Sequence, residues 1–294
     1  LKNKLYEFND LFSNLSLLIK KDKFPKCLLL SGDKGQGKYT LIHHVLACYF
    51  DENNYDKNSL TIKKDNLINK IKNNNTDNIL YLSGMDNIKI DQIRDLRNDL
   101  QKSTINNKPR FIIFDDIELF SLNCSNALLK SVEEPNNFNY FILINNKRLP
   151  IIDTIKSRSI EIKIFLNDDT NKKIIEGMMK DHQDKIFFDY KNYPCTAGNF
   201  FIFNQICEDY NINLEDEIIK NIFKLLNLFK QKKDQKLFDF SVFLLSNHYF
   251  NLMRFDNLDI NILEKKSLVL KKINDFRKLN LNINNLFLDI KRYI

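Results

Sequence analysis

Seven residues, Gly32-Asp33-Lys34-Gly35-Gln36-Gly37-Lys38, form a G-x-x-x-x-G-K run. Glycines at this spacing let backbone N–H groups turn inward around a phosphate, and a following helix adds the positive end of its dipole. Lys38 would reach the β- and γ-phosphates. The next position normally carries Ser or Thr, whose hydroxyl ligates Mg²⁺. Here it is Tyr39, whose phenol is too long to place its oxygen at that ligand position. Thr40 lies one residue further, about 100° around the helix, and is not expected to substitute. Asp115 and Asp116 follow the apolar run Phe111–Phe114. An acid at the end of such a strand commonly holds Mg²⁺ through water, and a following Glu orients the attacking water. Asp116 is one methylene shorter than Glu; an exposed Asp-Asp turn is the other reading of the pair. The run is therefore expected to bind phosphate but not to support metal-assisted hydrolysis.

The elements that would hold these residues are legible as short apolar runs. Cys27–Leu30, Ile79–Leu82, Phe111–Phe114, Tyr140–Ile144 and Ile160–Phe165 read as strands. Between them, residues 5–20, 40–50, 90–102, 124–132 and 151–157 read as helices, the fourth stopped by Pro135. Residues 51–77 are polar, with a weak helix at best around Leu67, Ile68 and Ile71, and read as a surface excursion. Strands alternating with helices predict an α/β fold, a doubly wound parallel sheet of the P-loop type. Beyond residue 165 the strand signal fades. Residues 168–208 read as short helices and 214–294 as longer amphipathic ones, with Phe223, Leu226, Phe229, Leu237, Phe240, Phe243 and Leu244 on an apolar face.

The stretch Asn126-Ala127-Leu128-Leu129-Lys130-Ser131-Val132-Glu133-Glu134-Pro135 resembles the N-A-L-L-K-x-x-E-E-P signature of bacterial clamp-loader AAA+ subunits. Leu149-Pro150 and Ile155-Lys156-Ser157-Arg158-Ser159 resemble the L-P-x-x-I-x-S-R-C segment of the same family, with Ser159 in place of Cys. The resemblance runs in order and spacing from about residue 5 to about residue 200. It implies an AAA+ domain over 1–165, a helical lid over 166–208 and a helical collar for assembly over 209–294. It also implies that Arg158 is an arginine finger, directed at the γ-phosphate of ATP on a neighbouring subunit. From the residues alone, a surface salt bridge would be the reading for Arg158.

Three departures point to the delta-prime branch of that family, whose nucleotide sites are commonly degenerate, and away from its ATP-hydrolysing gamma/tau branch. Tyr39 removes the metal hydroxyl, although Thr40 matches the family's following Thr. Asp116 replaces the catalytic Glu. Ala197-Gly198-Asn199 stands where a G-R pair often supplies a second arginine. The implied site is Gly32, Gly35, Gly37, Lys38, Thr40 and Asp115 as a degenerate nucleotide site, with weak ATP or ADP binding and no cofactor required. The implied partners are gamma/tau and delta subunits, the sliding clamp and primed DNA through the assembled complex.

The family's zinc module needs four closely spaced cysteines, and only Cys48 falls in the corresponding interval, so no zinc is expected. The four histidines form no ligand cluster, and His43-His44 are expected at a helix surface or in packing. Five scattered cysteines fit reduced thiols in a cytoplasm. The chain starts at Leu1 rather than Met, so a few residues are expected to precede it, and it shows no secretory leader pattern or membrane span. The net charge of +7 permits nucleic-acid contact. An abundance of Lys, Asn, Ile and Phe, which AT-rich codons supply, makes a solvated lysine surface the simpler reading.

Overall fold

The computed structural model describes residues 3–63, 78–86, 88–101, 108–133, 135–182, 185–255, 260–279 and 282–293. The weak helix expected around Leu67–Ile71, Lys102 and Glu134 fall outside them. The chain divides into two units, Leu1–His182 with Thr196–Gly198, and Gln183–Cys195 with Asn199–Ile294.

In the first unit the elements run α1 Asn9–Lys20, β1 Cys27–Ser31, α2 Lys38–Phe50, β2 Tyr55–Asp56, β3 Thr61–Ile62, β4 Ile79–Ser83 and α3 Ile90–Leu100. They continue with β5 Arg110–Asp115, α4 Leu122–Glu133, β6 Asn139–Asn145, α5 Asp153–Lys156, β7 Ile160–Lys163, α6 Asp168–His182 and the start of α7 Ala197–Tyr210. Five strands form one parallel sheet in the order β4-β5-β6-β1-β7.

The central strands β1, β5 and β6 carry unbroken apolar runs because both faces of the sheet are covered there, whereas the edge strand β7, Ile160-Glu161-Ile162-Lys163, is largely exposed. Successive side chains alternate sides. Leu28, Leu30, Phe111, Ile113, Ile142 and Ile144 join one core with α1 and α2. Cys27, Leu29, Ile112, Phe114, Phe141 and Leu143 join the other with α3 and α4. Strand order reverses around β1, which lies between β6 and β7. The crevice beyond the carboxyl ends of the strands at such a switch point is where α/β sheets bind ligands. The loop after β1, the acids after β5 and the Asn pair after β6 all lie at those ends.

Several local expectations are corrected. α1 begins at Asn9, not residue 5, because Leu5 donates its N–H to the Leu60 carbonyl (3.0 Å) and Glu7 turns at φ +61°. The described part of the polar excursion holds a small antiparallel ribbon, β2 against β3. Its Tyr55 is buried, stacks on Phe12 at 5.4 Å and hydrogen-bonds Nδ1 of His44 at 3.0 Å. That contact, with burial of His43 as well, removes both histidines from the surface. α6 and α7, with 15 and 14 residues, are longer than the short helices expected there.

The second unit is helical: the remainder of α7, α8 Ile218–Lys232, α9 Gln235–Phe255, α10 Ile260–Leu279 and α11 Ile283–Lys291. Aromatic rings fill it. Phe203 stacks on Phe240 at 4.4 Å, Phe188 meets both, and Phe223 meets Phe287 at 4.1 Å. α8 buries Ile222, Phe223, Leu225, Leu226 and Phe229 along one side. Among the described residues no helix is long and apolar enough to cross a membrane.

Candidate functional site

The loop between β1 and α2 closes on itself. Gly32 follows β1 directly, and Gly35 and Gly37 have φ of +86° and +82°. Gln36 is buried and its Oε1 accepts the Asp33 N–H at 3.1 Å. Lys38 opens α2 with its side chain buried, and its amine donates to the carbonyls of Gly32 (2.7 Å) and Asp33 (2.8 Å). Residues from the start of α7 cap the loop. Thr196 Oγ1 donates to the Lys34 carbonyl at 2.7 Å, and the Gly198 N–H to the Gly35 carbonyl at 2.9 Å. The approach needs glycine: a Cβ on Gly198 would stand 2.7 Å from Gly35 Cα.

Burial lowers the Lys38 ammonium from its ordinary value of 10.5 to about 8, although Asp115, Glu118, Asp33 and Asp116 pull it upward. In the unfolded chain the amine keeps its proton to a higher pH. The folding penalty is therefore present below about pH 8 and is relieved as pH climbs toward 10.5. The effect is on the order of 3 kcal/mol. The unfolding free energy of the wild type minus that of Lys38→Met should thus move in favour of the wild type between pH 7.5 and 10. Urea titrations of both proteins check this; a flat difference contradicts the burial.

The acids at the end of β5 are held from three sides. Asp115 accepts from the Tyr81 hydroxyl (3.0 Å), the Asn146 amide (3.2 Å) and the Asp116 N–H (2.9 Å). Burial, then the neighbouring Asp116, raises its carboxyl above the ordinary range. Asp116 has left-handed backbone (φ +51°) and is buried, so the exposed Asp-Asp turn does not form. It accepts from the Asn146 amide at 2.9 Å and pairs with Arg148 Nε at 3.6 Å. Glu118, also buried, accepts the N–H groups of Asn146 (3.1 Å) and Arg148 (3.4 Å), and burial raises its carboxyl too. Sequence reasoning missed Tyr81, Glu118, Asn146 and Arg148. The available signal was the Asn145-Asn146 pair closing an apolar strand, but its value depends on β6 lying between β1 and β5.

Tyr39 points its ring into packing. It meets Tyr81 edge-to-face at 5.3 Å, lies parallel to His43 at 6.2 Å, and rests half-buried against the core shared with α1 and α2. Thr40 is half-buried one residue further along α2. The glycines and Lys38 suit a phosphate. The donor set does not suit a divalent ion, since the hydroxyl position carries a packed ring and Asp115 is already bonded to Tyr81 and Asn146.

Arg158 stands apart from these groups. It follows α5, and its side chain is 38% exposed. Its Nε contacts Glu133 at 2.6 Å, and its Nη1 donates to the Thr154 carbonyl (3.2 Å) and the Ser157 hydroxyl (3.3 Å). None of these bonds goes to the loop or to the β5 acids. Ser159, where the resembling segment has Cys, donates its hydroxyl to the Ile155 carbonyl at 3.0 Å. The Asn126–Pro135 motif lies mainly on α4, which buries Leu128 and Val132 and exposes Asn126, Lys130 and Glu133. Among the described residues no group of three or more His, Cys, Asp or Glu side chains is placed to hold a metal.

The family model described as "DNA polymerase III, delta subunit" matches residues 8–167, which takes in the whole sheet and both motifs. The chain belongs to this family. This is the clamp-loader AAA+ family that the two motifs implied. The DNA polymerase III subunit delta' of Buchnera aphidicola subsp. Baizongia pistaciae is 27% identical over 159 residues, 50% of this chain and 46% of that protein. The chain thus matches about half the length of that relative. The DNA polymerase III subunit gamma of Buchnera aphidicola subsp. Schizaphis graminum is 24% identical over 285 residues, 92% of this chain and 70% of that protein. A gamma-subunit-related protein of DNA polymerase III from Thermotoga maritima superposes with a TM-score of 0.46 at 16% identity, covering 97% of this chain and 100% of that one.

Proposed function

We propose that this chain is a delta-prime-type subunit of the clamp loader, acting in the cytoplasm. It assembles with gamma/tau and delta subunits and helps place the sliding clamp on primed DNA. It supplies Arg158 to a nucleotide held by a neighbouring subunit and does not turn over ATP itself. The observation that carries this reading is the contrast between its two sets of charged groups. At its own loop, a packed Tyr39 occupies the hydroxyl position and Asp116 is tied to Asn146 and Arg148. Arg158, by contrast, is exposed. A guanidinium is always charged and presents a planar fork of donors, which suits charge developing on a transferring phosphoryl group. Supplying it from a neighbour couples turnover to assembly. Neither zinc nor a bound nucleotide is required.

A second reading, an ATP-hydrolysing gamma/tau-type motor, is favoured by the gamma relative, which aligns over 92% of this chain. Reconstitution tests the first reading. The chain should co-elute with gamma/tau and delta subunits, and clamp loading onto primed DNA should fall to background when it is omitted. Failure to enter the complex contradicts the assignment.

Tyr39→Thr separates the two readings further. Removing a half-buried ring that meets Tyr81 and His43 should cost about 1–3 kcal/mol of stability. It should bring no Lys38-dependent turnover, because Asp116 remains too short and engaged. Unfolding and phosphate-release assays on the variant check both halves.

A further inference from the structure

We infer that Glu133 is a positioning residue for Arg158: it holds the guanidinium at Nε while Nη1 is held by the chain's own oxygens, which leaves Nη2 as the donor for a group from outside the chain. The inference rests on the proposed role of Arg158. Glu133 is the last residue of α4, where the negative end of the helix dipole disfavours a carboxylate. Helix stability therefore does not explain an acid at this place. Its partner does, since Glu133 Oε1 lies 2.6 Å from Arg158 Nε. The Thr154 carbonyl and the Ser157 hydroxyl hold Nη1 at 3.2 and 3.3 Å. These three acceptors come from two separate elements, the end of α4 and the last turn of α5. Among the described residues, none bonds Nη2. A planar guanidinium fixed through Nε and Nη1 keeps the two N–H groups of Nη2 for a further acceptor. Nη2 is then set for a phosphoryl oxygen supplied from outside this chain. The long arginine side chain would otherwise lose rotamer freedom at the moment of engagement.

Single-turnover ATP hydrolysis at the site Arg158 serves, in the reconstituted loader with clamp and primed DNA, tests this. Glu133→Ala should lower the rate constant at that site by about threefold to fivefold, the range expected of one exposed charge pair, and leave its half-saturating ATP concentration unchanged. Glu133→Asp should recover part of the loss. The double variant Glu133→Ala/Arg158→Ala should be no slower than Arg158→Ala alone, because Glu133 acts only through Arg158. Full activity in Glu133→Ala, an equal fold loss in the Arg158→Ala background, or failure of Glu133→Ala to assemble would each overturn the inference. A silent Glu133→Ala beside a strongly impaired Arg158→Ala removes the positioning role and keeps the finger. A silent Arg158→Ala removes the finger itself.

Discussion

Arg158→Ala should lower turnover at the partner site it serves by about a thousandfold or more, the lower range of what an arginine finger contributes. Single-turnover measurement in the reconstituted loader reads the loss at that site apart from any other. Folding and assembly should survive. The side chain is 38% exposed, and its bonds go to an exposed carboxylate, a carbonyl and a hydroxyl on its own surface. An exposed ion pair is worth about 0–1 kcal/mol, too little to unfold a domain. Arg158→Lys should recover only part of the rate, since an ammonium is a point charge without the planar fork. Unchanged clamp- and DNA-stimulated turnover in a fully assembled Arg158→Ala complex would show that the salt bridge to Glu133 is all this arginine does.

The second large effect lies in the sheet that carries the site. Phe111 sits fully buried in β5, four residues before Asp115. Its ring meets Phe24 (5.7 Å), Tyr49 (6.4 Å), Phe50 (6.0 Å) and Tyr140 (5.4 Å). Phe111→Ala removes the centre of this aromatic group and should cost about 3–5 kcal/mol. Amides of residues 112–114 should then exchange hydrogen about two to four orders of magnitude faster, if they exchange by unfolding of the first unit. Hydrogen-exchange mass spectrometry on peptides covering β5 measures this. Unaltered protection would mean that the ring is not central to the packing.

The parallel sheet was legible because its central strands β1, β5 and β6 are buried on both faces, which leaves an uninterrupted apolar run such as Phe111-Ile112-Ile113-Phe114. The loop was legible because its glycines and Lys38 are contiguous. What stayed hidden has two physical causes. Some contacts contradict local pattern: Leu5 and Phe8 continue the helical spacing of α1, yet Leu5 is drawn into pairing with Leu60, and the polar sequence 51–63 hides a ribbon fixed by the buried Tyr55. Other contacts join residues far apart in the chain. Asn146 reaches Asp115 and Asp116 only because β6 lies beside β5, and Glu133 reaches Arg158 across 25 positions. Periodicity finds elements; it does not find which ends of those elements meet. The Asp-Asp pair shows the consequence, since sequence left it open to an exposed turn and the strand order buries it under Arg148 and Asn146.

Phosphate release by the purified chain alone, with Lys38→Ala as the control for contaminating ATPases, tests most directly whether this subunit hydrolyses ATP. Two features act against turnover: the packed ring of Tyr39 and the engaged Asp116. The expected result is a rate at the level of the control, equal in wild type and Lys38→Ala. Robust release that disappears in Lys38→Ala would contradict the account and place the chain with the hydrolysing gamma/tau subunits.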